Sequence, residues 1–261
     1  MLGKLLKYDM KSMSKSLLPL YLITLGMAII CRLVLLLSNQ ISIFKGVSAL
    51  VVFFFCILLI GVFLYTFVLG IKRFYNNLMK DEGYLTHTLP VPKYLHLNSK
   101  IIASLLFLVF STIIVILAFC ISFYYFGMFD ELMRMLTEFS NAMSISLPAI
   151  LCYVIITLLL GYLSNLLLVY VSLALGHLQN KNRLVFAVVY GIVVYTISQI
   201  VSLIALTPCL IVDPGLLATN ATPAKDILMP LLGISLGVSI LLIIAYYLIT
   251  LKILKKNLNL E

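Results

Sequence analysis

The sequence predicts an all-α, polytopic membrane protein with six transmembrane helices and an N-terminal interfacial amphipathic helix. Three observations predict it. Of the 261 residues, 63% are hydrophobic and 10% charged, with a mean hydropathy of +1.18, whereas a soluble domain is about 45–50% apolar and about 25% charged. Six apolar runs are long enough to cross a bilayer, which takes about 20 helical residues. None alternates like a strand, and in lipid an isolated segment satisfies its own backbone polar groups only as a helix. A soluble enzyme is excluded on composition, and residues 1–261 read as a single transmembrane domain.

Residues 1–16 are the first element. Lys4, Lys7, Lys11 and Lys15 recur at spacings of three and four, and Leu2, Leu5, Leu6, Met10, Met13 and Leu17 recur on the opposite side. At 100° per residue this separates a charged stripe from an apolar one. The expected arrangement is a helix in the headgroup region, lysines toward lipid phosphate, joined to the first span by a sharp bend near Leu18-Pro19. Membrane lipid is thus the first expected partner. A cleaved signal peptide fits less well, because the first run is 21 residues long and ends in Leu-Ser-Asn-Gln, without a small-residue cleavage site.

The spans are expected at about 17–37, 47–70, 101–127, 147–176, 184–207 and 227–253. Pro19, Pro148 and Pro230 stand near span starts, where a helix accepts proline. Fourteen of the 18 Lys and Arg fall on the side of the N-terminus, the second and fourth loops and the C-terminus; Arg32, Lys45, Arg134 and Lys225 fall on the other. The positive-inside rule places the fourteen, and both termini, in the cytoplasm. The low-charge, lysine-rich composition points to a bacterial plasma membrane. The net charge of +9 then reports loops facing anionic lipid. No basic cluster interleaves with exposed aromatics, so no nucleic-acid partner is expected.

No Asp or Glu lies within the six runs, and Arg32 is close enough to a span end to snorkel. An ion-driven carrier ordinarily needs an intramembrane carboxylate or an unwound coordinating segment. A secondary carrier or channel not driven by ATP is therefore the alternative, not the main reading. Asn165 and Gln199 are the polar residues deepest in apolar surroundings and are expected to hydrogen-bond between helices. Gly233-x-x-x-Gly237 gives the sixth span a small-residue stripe for close packing. The five cysteines are an odd number without a C-x-x-C pair, and the three histidines fall in loops, so no metal site is assigned. H-E-x-x-H, G-x-S-x-G and the Walker A pattern are missing, so no catalytic residue is expected and any ATP must be bound by another polypeptide.

The loop at 71–100 is the longest polar stretch. Gly83 is placed to end a helix descending from the second span. Pro90 and Pro92 impose extended backbone on the residues before them, and a short helix is expected from about 93 to 98. Phe74, Tyr75, Tyr84, Leu89, Tyr94 and Leu95 supply apolar surface on a short projection, the composition of a docking surface. The outer segment 208–226, with Asp213-Pro214-Gly215 and Pro223, interrupts helical periodicity and suits an ordinary outer loop or a segment re-entering the membrane equally well.

With Asp81-Glu82-Gly83-Tyr84-Leu85, Thr88-Leu89-Pro90-Val91-Pro92 and Lys100 entering the third span, this loop resembles that of permease subunits of type-2 ABC transporters. There an acidic residue, a glycine, a Leu-x-x-Pro-like turn and a basic residue recur. The leader, the six spans and the interrupted outer segment match in layout. The resemblance implies an exporter's membrane-spanning subunit, paired with a second permease subunit and with separate nucleotide-binding ABC ATPase subunits that carry ATP-Mg; this chain would bind no cofactor. It implies that 71–100 holds a coupling helix docking on the ATPase, with Glu82 in the acidic position beside Asp81 and Gly83, and Tyr84, Leu89 and Pro90 shaping the turn. It also implies that the outer segment dips back into the outer leaflet. The substrate-binding residues are not identified.

Overall fold

A computed structural model describes residues 2–40, 44–80, 92–123, 128–143, 145–179, 181–211 and 224–256. They form helices α1 (Leu2–Gln40), α2 (Phe44–Leu78), α3 (Lys93–Phe123), α4 (Met128–Met143), α5 (Leu147–Gly176), α6 (Arg183–Ile211) and α7 (Ala224–Lys256). No strand occurs among the described residues. All but α4 are long and apolar enough to cross a membrane, so this is an all-α, multi-pass membrane protein. Large side chains such as Phe53, Phe54, Leu64, Leu203, Ile204 and Leu241 are exposed, a surface suited to lipid or to another membrane-embedded chain.

Several helices overrun their expected bounds. α1 is one uninterrupted helix of 39 residues with Pro19 inside it, rather than a separate interfacial helix followed by a span. The leader's apolar stripe explains why. Met13 and Leu17 are buried with Tyr21 against Val62 and Leu69 of α2 and Ala103 and Phe107 of α3, with Leu6 and Met10 alongside. A face buried against two helices holds the leader along them, so the helix continues through the proline. Pro230 likewise lies inside α7, while Pro148 occupies the first turn of α5 as expected. α3 begins at Lys93 and runs unbroken to Phe123, absorbing the short helix expected at 93–98. α4 was not foreseen. It crosses no bilayer, being 16 residues long, but its charged residues Asp130, Glu131, Arg134 and Glu138 and its apolar Leu132, Met135, Leu136 and Phe139 fall on opposite arcs. The segment 208–226 is helical at 208–211 and 224–226; its remainder lies outside the described residues.

The chain divides into two compact units. The first comprises Met1–Arg73 and Leu95–Arg134, the second Phe74–Tyr94 and Met135–Glu261. Among its described residues the first unit holds an apolar cluster around Met13, Leu17 and Phe107 and another of Ala28, Cys31, Phe55, Ala118 and Phe123. A polar thread crosses it. Tyr21 Oη lies 2.7 Å from Ser111 Oγ, which lies 2.8 Å from Thr66 Oγ1. Thr66 donates its proton to Val62 O at 2.8 Å, so it accepts from Ser111, and Tyr21 in turn donates to Ser111. Three helices are thereby tied by hydroxyls where no water competes. In the second unit α5, α6 and α7 pack on one another. Gly176 brings α5 and α6 close together: a Cβ would stand 2.6 Å from Ala187 Cβ and 2.7 Å from its Cα and N.

Candidate partner-docking site

The residues expected to dock a partner, Asp81, Glu82, Gly83, Tyr84, Leu89 and Pro90, lie outside the described residues. The limbs that carry them are described. α2 ends at Leu78, before Gly83, in a turn where the N–H groups of Met79 and Lys80 both donate to Tyr75 O at 2.9 and 3.1 Å. Leu78 and Met79 are buried, so the chain leaves the helix only after its apolar face is covered.

Residues 74–80 and 92–94 belong to the second unit and are anchored there. Phe74 is fully buried and stacks on Tyr170 of α5 with ring centroids 3.9 Å apart and planes 10° from parallel. Tyr75 meets His177 edge-on, with centroids at 5.6 Å. His177 caps α5 and lies close to the bonded carbonyl of Leu173, 3.0 Å from its Nδ1. A carbonyl only accepts, so the Nδ1–H is the donor and the ring is held in that tautomer. Burial pushes the His177 pKa down, the Leu173 hydrogen bond opposes this, and the charge of Arg183 adds to the lowering. On the other limb, Lys93 Nζ donates to Leu254 O of α7 at 2.7 Å. Leu254 O is near the helix C-terminus, where carbonyls lack intrahelical donors and the dipole favours a cation. The aromatic limb is thus fixed to α5 and the lysine limb to α7.

In the first unit, the last residues of the loop meet the leader. Lys100 Nζ pairs with Asp9 Oδ1 at 2.5 Å, and Ser99 Oγ donates to Asp9 Oδ2 at 3.0 Å. Both charged side chains are buried, 6% and 4% exposed. Two carboxylate oxygens are each satisfied, as a buried charge requires. Sequence reasoning passed over Asp9. The signal was present: it is the only acidic residue among the first 80, set among four lysines. Lys4, Lys7, Lys11 and Lys15 themselves are exposed.

The expected packing residues are placed differently. Asn165 is exposed and its Nδ2 donates to Gly161 O of its own helix at 2.8 Å. Gln199 is exposed as well. At Gly233 and Gly237 a Cβ would meet nothing within 4 Å, so none of the described residues packs closely on their stripe. Small hydroxyl residues, Thr66 and Ser111, do the interhelical work expected of the amides, because a short side chain lets helices approach while still reaching its partner.

Compared with known proteins, the chain matches no family model, no curated protein and no solved structure.

Proposed function

We propose that this chain is the membrane-spanning permease subunit of an ATP-driven ABC exporter in a bacterial plasma membrane, with both termini cytoplasmic, energised by a separate nucleotide-binding subunit through the loop at 71–100. One observation carries the reading: the loop between the second and third of six spans orders Glu82-Gly83, Leu89-Pro90 and Lys100 as the coupling loop of such permeases does, in a chain without a nucleotide-binding motif of its own. A second permease subunit, of the same or another sequence, completes the pathway.

The anchored limbs fit this role. A coupling element transmits force only if it moves as a body with the helices it serves. Stacking of Phe74 on Tyr170 and the Lys93–Leu254 hydrogen bond give the loop rigid attachment to α5 and α7. In the other unit, Lys100 and Asp9 attach α3 to α1. ATP drives such a system by favouring one arrangement of these attachments over another.

The test is mass spectrometry of the complex extracted in mild detergent. A Walker-containing ATPase should accompany the wild-type chain and be lost from Glu82→Lys and from a deletion of 89–92. Retention of the ATPase in both variants refutes the docking role of the loop. Transport in vesicles by the lone chain under an ion gradient, with no nucleotide, refutes the whole reading in favour of a secondary carrier.

A further inference from the structure

Within the first unit, an apolar cleft of about 450 Å³ opens between α1 and α3, lined by Met10, Ser14, Leu18, Tyr21, Phe107 and Phe110, with Ile114 at one end and Lys11 at the other. Ser14 has the smallest side chain of the lining. The Ser14 hydroxyl donates to Lys11 O at 2.9 Å, so the cleft wall carries no unsatisfied polar group there. Leu18 and Phe110 are 57% and 48% exposed, which leaves the cleft open along its side. Lys11 is exposed, and Lys7 stands one turn before it.

We infer that this cleft holds one acyl chain of an anionic phospholipid, with the lipid phosphate on Lys11. Length, charge and depth agree. From Lys11 to Tyr21 is ten residues of helix, about 15 Å at 1.5 Å per residue, which is one leaflet of a hydrocarbon core about 30 Å thick. The cation sits at the end of the cleft nearer the lysine-rich side of the protein, where headgroups of that leaflet lie, and the remaining lining is apolar. A zwitterionic lipid would bring the same acyl chain but an ammonium group beside the lysines. An anionic headgroup is therefore preferred. The inference rests on the chain spanning a membrane and is independent of its ATPase partner.

The chain contains no tryptophan, so Phe110→Trp gives the full-length protein a single reporter in the cleft. It is reconstituted in phosphatidylcholine vesicles containing equal small fractions of either bromine-labelled phosphatidylglycerol or bromine-labelled phosphatidylcholine. Ile60→Trp, on a 61% exposed position of α2, reports ordinary surrounding lipid. Phosphatidylglycerol should compete for the cleft about fivefold better than phosphatidylcholine, the factor equivalent to the roughly 1 kcal/mol attraction of one lysine for anionic lipid. Ile60→Trp should show no such preference. Lys11→Gln, a change at an exposed position, should bring Phe110→Trp to the Ile60→Trp level, and Ser14→Leu should do the same by filling the hollow, leaving the half-exposed ring to ordinary surrounding lipid. Equal quenching by the two lipids at Phe110→Trp, or a preference that survives Lys11→Gln, overturns the assignment.

Discussion

Gly176 and the pair Gly233 and Gly237 have the same side chain and opposite roles. At Gly176 the backbone of Ala187 occupies the space a methyl would take, so Gly176→Ala must push α5 from α6, at a cost on the order of 1–3 kcal/mol. Gly233 and Gly237 face open space, so Gly233→Ala and Gly237→Ala should each gain about 0.5–1 kcal/mol from helix propensity. Thermal unfolding of the three variants in one detergent reads the difference. His177 gives a pH dependence with a definite sign. Its pKa is lowered by burial, so between that value and the ordinary histidine value of about 6.5 the unfolded chain binds more protons. Stability is then full above about pH 6.5 and falls as pH drops toward the lowered pKa. His177→Phe, which keeps an aromatic ring against Tyr75, should flatten the melting temperature between pH 7 and pH 5. An unchanged slope in that variant would assign the effect elsewhere.

At the scale of elements, α1 shows how a leader becomes part of a span. Its lysine stripe and apolar stripe were both legible, but the same amphipathic pattern suits a lipid surface and a groove between helices equally well. Burial of Met13 and Leu17 against α2 and α3 decided for the groove, and Asp9 with Lys100 and Ser99 fixes the register. Breaking that pair by Asp9→Leu or Lys100→Met alone should cost about 3–5 kcal/mol, since a buried charge is left uncompensated. The double substitution should recover most of the loss. A double-mutant cycle by thermal unfolding measures this, and additive losses would mean that the two residues are not coupled. α4 is the complementary case: a 16-residue amphipathic helix is invisible to a search for long apolar runs, although its 3.6-residue period was in the sequence.

For the whole molecule, the loop charges predict sidedness. In a background with all five cysteines replaced by alanine, Lys80→Cys and Lys255→Cys should be shielded from a membrane-impermeant thiol reagent in intact cells. Arg134→Cys should react. The reverse pattern would invert the topology and remove the loop at 71–100 from reach of any cytoplasmic ATPase.

Sequence by itself determined the all-helical class and the six crossings, because in lipid each backbone must satisfy itself locally and apolar length is a local property. It also supplied every residue of the proposed docking loop. The tertiary structure alone decided which polar groups tie the helices: Tyr21, Thr66 and Ser111 in a hydroxyl thread, Asp9 with Lys100, and neither Asn165 nor Gln199. A membrane helix is apolar on every side, so its sequence has little contrast between the face toward lipid and the face toward a neighbour, and only packing tells them apart.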